Sequence, residues 1–183
     1  STSTSHTLYV LKENPVTLIA FALFGFYVLS AIFGQYLVPF DPLASDSENV
    51  LQPPNLKHWF GTDALGRDVF SRVISATRLD LLIAVSAVAI SFVVGSILGS
   101  AAGYWGGKLD IILSRTLDTI MAFPIFVLAM GIVAALGNTI ENIVYATAII
   151  NVPFYARLVR AEVNIRRNSG FVQSAKLSGN SDL

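Results

Sequence analysis

The chain has 183 residues, 54% of them hydrophobic and only 13% charged, with a mean hydropathy of +0.63 and a formal net charge of zero. A balanced charge gives no basic footprint for nucleic acid, and the absence of cysteine excludes disulfides, thiolate catalysis and cysteine-based metal sites. With only His6 and His58, no His-rich metal site can be assembled, and no cofactor is called for.

The shortage of charge is concentrated in long windows, which is the pattern of transmembrane helices. A polar start, with no basic n-region or nearby cleavage site, leads to an apolar run too long for a signal peptide, so an uncleaved anchor is expected. Val16 to Val38 is that first span. As a helix it reaches about 34 Å, enough for a hydrocarbon core of ~30 Å. Asn14 suits its N-cap and Pro15 its first turn.

Pro39 to Arg78 is polar and rich in Pro, Asp, Ser and Asn at its start, as an irregular extramembrane loop would be. Within residues 61–80, Val69, Phe70, Val73 and Ile74 recur at helical spacing beside Asp68, Arg72 and Arg78. This predicts an amphipathic interfacial helix, with Asp63 as a possible cap. Three regions follow: 1–60 (tail, first span and loop), 61–80 (interfacial helix) and 81–183 (the remaining membrane domain).

Leu81 to Tyr104 is the second span. Ala87, Ser91, Gly95, Gly99 and Gly103 fall every fourth residue, a small-residue stripe that lets another helix approach closely. Trp105 to Asp118 reads as a short polar connection. Thr119 to Leu136 is the third span, with a kink expected at Pro124. Ile140 to Val159 is the fourth, with Glu141 and Arg157 at its two interfaces. Asn151 and Pro153 interrupt it and are weak candidates for cavity lining.

With four spans both ends share a side. Lys12, Lys108, Arg115 and the five basic residues after Ala156 give that side eight, against four in the first loop. The excess predicts a cytoplasmic N-terminus and a cytoplasmic 157–183. Apart from Glu141 and Arg157 at the two ends of the fourth, no span contains Asp, Glu, Lys, Arg or His, so intramembrane acid–base or nucleophilic catalysis has no means. Gly107-Lys108 lacks the rest of a phosphate-binding loop, so ATP is not bound by that route. If the chain moves solute uphill, energy must come from another chain.

After Ala156, Glu162 and Arg166 form a favourable helical pair, and Asn168-Ser169-Gly170 breaks the helix. Phe171, Val172, Ala175 and Leu177 give a further short helix an apolar side for docking, and Gly179 is placed to end it.

Several motifs in order carry a resemblance. They are His58-Trp59-Phe60-Gly61-Thr62-Asp63 continuing through Gly66-Arg67-Asp68, Arg78 to Leu82, Ala102 to Gly107, Asp118 to Pro124, and Tyr155 to Arg160. With Phe171 to Leu183, they make the chain resemble the C-type inner-membrane permeases of dipeptide, oligopeptide and nickel ABC importers. The resemblance implies an all-α membrane protein with the type I ABC importer fold, about four of its six transmembrane helices present, the chain stopping inside the cytoplasmic coupling loop.

The family's signature is matched in its first half by Gln173-Ser174-Ala175-Lys176-Leu177-Ser178-Gly179, with Gln173 and Ser174 departing from its Glu and Ala. The resemblance therefore implies that Phe171 to Gly179 couples to an ATPase. It also implies a second permease subunit, two ATP-binding subunits, an external substrate-binding protein and an inner-membrane location. Peptides, or a related solute such as nickel, would be carried, with ATP hydrolysed on the partners. A non-transporting membrane anchor or assembly subunit is the alternative.

Overall fold

The computed structural model describes residues 14–179. The tail with His6 and Lys12, and the residues after Gly179, lie outside the described residues, as does the side chain of Lys176. Six helices follow in order: α1 (Pro15–Leu37), α2 (Val69–Trp105), α3 (Gly107–Ala122), α4 (Ile125–Leu136), α5 (Ile140–Arg166) and α6 (Gly170–Leu177). Three of them, α1, α2 and α5, are long and apolar enough to cross a membrane, and α3 with α4 form a bent pair that would make a fourth span. Two compact units divide between Leu82 and Ile83.

In the first unit, α1 begins as its sequence dictates. The Asn14 side chain accepts from the Thr17 amide, and Pro15 occupies the first turn, where its missing N–H costs nothing. Most of its large apolar side chains are exposed, the arrangement lipid solvates. Ser30, Ala31 and Gly34 are buried, and at Gly34 the approach is close. A Cβ there would stand 2.7 Å from the Ile74 side chain, so this contact needs glycine. Nearby, Arg78 donates to Gln35 across the same helix pair (3.1 Å).

The separate interfacial helix expected over 61–80 is not what forms. Residues 61–68 are loop, closed by an antiparallel bridge between Thr62 and Asp68. From Val69 the helix runs unbroken for 37 residues to Trp105, so the amphipathic stretch and the second span are one element. Asp68, not Asp63, sits at its start. The Asp68 carboxylate accepts from the Ser71 amide (2.8 Å) and hydroxyl (2.7 Å). Asp63 instead holds the loop, accepting from the amides of Leu65 and Arg67 and from the Arg67 guanidinium.

That loop is built on polar side chains turned inward. His58, Thr62, Asp68 and Ser71 are all buried. His58 Nδ1 lies 2.9 Å from Asp68, and the Ser71 hydroxyl reaches the Phe40 amide. Burial pushes the Asp68 carboxyl upward, but the Ser71 hydroxyl, the Ser71 amide and His58 outweigh it and hold it below the ordinary carboxylate value. Gly66 has φ +73°, and any Cβ there would overlap the Asp46 carbonyl, so only glycine closes this turn.

In the second unit the expected polar connection over 105–118 is also a helix. Gly106 and Gly107 turn the corner with φ of +65° and +59°, and α3 then runs through Lys108, Asp110, Arg115 and Asp118. Pro124 does more than kink a span. It separates α3 from α4, whose axes meet at 95°. Thr139 caps α5 by accepting from the Asn142 amide, and α5 continues to Arg166, past the limit expected at Val159.

Candidate coupling site

Residues α2 83–105 and α5 meet along the small-residue stripe. Ala87 packs with Val144 and Ala148. Ser91 is fully buried with its hydroxyl bonded back to the Ala87 carbonyl (2.7 Å), so it adds no unmet polar group to the contact. A Cβ on Gly95 would stand 2.6 Å from that of Tyr155, one on Gly99 would overlap the Ala156 carbonyl, and one on Gly103 would lie 2.8 Å from the Arg160 carbonyl. Thus Gly95, Gly99 and Gly103 put two helix backbones in direct contact. Phe92 and Tyr155 add an edge-to-face pair, with centroids 5.8 Å apart.

Beyond this contact, α5 and its C-cap carry Arg157, Arg160 and Arg167 at spacings of three and seven, which places them on one face. Arg157 pairs with Asp118. Arg160 forks onto both oxygens of Asp110, the Nη2 contact being 2.6 Å. Arg167 donates through one nitrogen to the carbonyls of Gly103 and Tyr104, 3.1 Å each. Those carbonyls belong to the last turn of α2, where free acceptors and the negative end of the helix dipole attract a cation. Sequence reasoning assigned these arginines to topology and missed their partners. The signal available was the spacing of Arg157, Arg160 and Arg167 opposite Asp110 and Asp118.

Beyond Arg167 the chain turns and α6 begins. The Ser169 amide donates to the Arg166 carbonyl (3.0 Å), and the Glu162–Arg166 pair closes at 3.2 Å. Gln173 folds back, its amide nitrogen donating to the Asn168 carbonyl (3.2 Å). The hydroxyls of Ser174 and Ser178 bond the carbonyls one turn earlier, at Gly170 and Ser174. Val172 and Ala175 are half-buried, whereas Phe171 (71%) and Leu177 (89%) stand exposed. Helix α6 ends at Leu177, and Gly179 follows with φ +84°. Residues 171–179 are therefore brought together on one short helix and the turn that follows it.

Asn151 and Pro153 both lie within α5. Asn151 donates to the Thr147 carbonyl of its own helix (2.8 Å), and Pro153 is fully buried. The 590 Å³ groove between α4 and the start of α5 is lined by Met130, Val133, Ala146 and Thr147 among others, without either residue.

Long apolar helices and a backbone-to-backbone helix contact define a multi-pass helical membrane protein. The family comparison agrees. Residues 91–183 match the binding-protein-dependent transport system inner membrane component, and residues 4–54 match the N-terminal TM domain of oligopeptide transport permease C. The chain belongs to this family of binding-protein-dependent inner-membrane transport components, and its fold class is the type I ABC importer membrane fold.

It is 39% identical to the dipeptide transport system permease protein DppC of Alkalihalophilus pseudofirmus over 92% of this chain and 56% of that protein. It is also 39% identical to the probable D,D-dipeptide transport system permease protein DdpC of Escherichia coli, over 94% of this chain and 58% of the other. The glutathione transport system permease protein GsiD of Pectobacterium atrosepticum is 37% identical over 83% and 51%. The chain spans somewhat more than half the length of these curated relatives.

Proposed function

We propose that the protein is a permease subunit of an ATP-driven, binding-protein-dependent importer, forming part of the path for small peptides or a related solute. The observation that carries this reading is α6. It is a two-turn helix with Phe171 and Leu177 uncovered, held by an arginine-anchored helix within the family-matched residues. Relatives named for dipeptides and glutathione favour a peptide class of solute over nickel.

In this reading α6 sits in the cytoplasm and enters a cleft of one of two ATP-binding subunits. A second permease completes the path, and an external binding protein delivers the solute. The basic residues of α5 and its continuation support that orientation. Closure of the ATPases would move α6, and the paired permeases would alternate in access as bodies, since helices satisfy their own backbone bonds.

The test is reconstitution of the full-length permease with its partners, with Gln173 to Gly179 replaced by a flexible linker. Expected is an intact membrane assembly that no longer raises ATP hydrolysis when loaded binding protein is added. Hydrolysis that stays coupled would remove the assignment.

A further inference from the structure

The loop between α1 and α2 is inverted in polarity. Its buried residues include His58, Thr62 and Asp68, while Leu56 is 100% exposed, Trp59 58% and Phe60 55%. A loop held rigid by so many internal hydrogen bonds has little freedom to fold these side chains away, and large apolar side chains exposed so close in sequence call for an apolar surrounding.

Position identifies that surrounding. The charge-free run that enters α1 at Val16 continues to Phe40, with Asp41 the first charge after it. The Phe40 ring lies 4.7 Å from the His58 ring, and the Phe40 amide donates to the Ser71 hydroxyl. His58 directly precedes Trp59 and Phe60, so the patch stands at the level where the α1 apolar run ends. Both aromatic rings pack on Phe70, in the first turn of α2, at centroid distances of 4.8 and 5.3 Å. The patch is thus continuous with two membrane helices at their shared end. Lys57 lies in the same stretch, with its ammonium 5.9 Å from the Phe40 ring centroid, an apolar stem and charged head of the kind suited to a phosphate layer.

We propose that Leu56, Trp59 and Phe60, braced by Phe70, form a lipid-binding surface that seats this loop in the headgroup region of the bilayer. Aromatic residues are favoured at this depth because ring and polar surroundings are both accommodated there. The interfacial role expected of a helix over 61–80 passes to a rigid loop.

The experiment uses the full-length permease, assembled with its partner subunits in vesicles of phosphatidylethanolamine and phosphatidylglycerol. A nitroxide is attached through Leu56→Cys in a cysteine-free background, leaving both aromatics in place, and a second protein carries it at Glu48→Cys. Collision with oxygen, which concentrates in lipid, is expected to exceed collision with a water-soluble nickel chelate several-fold at 56 and to be reversed at 48. Equal, water-like behaviour at both positions would overturn the proposal. So would a label at 56 that is water-exposed alone and becomes shielded only when the external binding protein is added, which would make the patch a protein-docking surface. Adding Trp59→Ser and Phe60→Ser to the Leu56-labelled protein should shift the label toward nickel accessibility. An unchanged ratio would show that the aromatics do not seat the loop.

Discussion

In the loop between α1 and α2, close packing is achieved by polar side chains that turn inward and bond the backbone. In the contact between α2 and α5, it is achieved by side chains that are missing. The first device is directional. His58, Asp68, Thr62 and Ser71 each fix a particular atom, so the loop keeps its form outside any helix. The second is steric. Gly95 and Gly99 fix only a distance of approach, and backbone hydrogen bonds within each helix supply the rest. A membrane protein can afford the steric device where lipid surrounds it, because no buried polar group is introduced. Where water and headgroups compete, directional bonds hold the chain better.

The contrast can be broken by mutation, and the largest effect is expected in the loop. Asp68→Ala strands His58 Nδ1 and the Ser71 amide and hydroxyl in a buried site, and should destabilise the first unit by about 3–5 kcal/mol. Thermal unfolding in lipid nanodiscs reads this, and a loss comparable to a surface substitution would show that the network does not hold the loop. Gly99→Leu should cost about 1–3 kcal/mol by forcing α2 from α5. Gly131→Leu is its control, because nothing lies within 4 Å of a Cβ at Gly131, and it should leave the melting temperature unchanged. Equal effects at the two glycines would refute the steric account.

Arg167→Gln removes the cation from the last carbonyls of α2 and should cost about 1 kcal/mol, read as a small fall in melting temperature. Smallest is a pH effect. The hydrogen bond from the Arg67 guanidinium lowers the Asp63 carboxyl from 3.8 to about 2 in the folded loop. Because the folded value lies below the unfolded one, this stabilisation is complete above about pH 4 and fades as pH falls toward 2. Asp63→Asn should therefore lower stability at neutral pH, change it little near pH 2, and so flatten the acid limb of the stability profile. An unaltered acid limb would mean that Arg67 does not act on this carboxyl.

The same contrast explains what could be read in the sequence. Local signals were legible. Asn14 and Pro15 marked the start of α1, and Asn168-Ser169-Gly170 marked the break before α6. The stripe from Ala87 to Gly103 was visible as periodicity, although its partner was not. Residues 107–118 were misread as a loop because Lys108, Asp110, Arg115 and Asp118 make them look polar. Two of those charges are met by Arg157 and Arg160, some forty to fifty positions away in sequence. Single-chain pattern reading has no access to such partners. For the same reason Asp63 was read as a possible cap and the role of Asp68 was missed, since the loop that separates their roles closes through Gly61 and Gly66 rather than through helix periodicity.

Arg167 also sets a boundary for dissection of the molecule. It finishes the last turn of α2 from 63 and 64 positions downstream. A fragment ending at Arg166 would contain every span-length helix described and still leave the α2 terminus without its cation. Expression limits chosen from hydropathy alone would cut there, in the interval that looks dispensable. A fragment meant to preserve the α2–α3 corner should extend through Arg167, and the turn at Asn168 to Gly170 offers the natural place to stop.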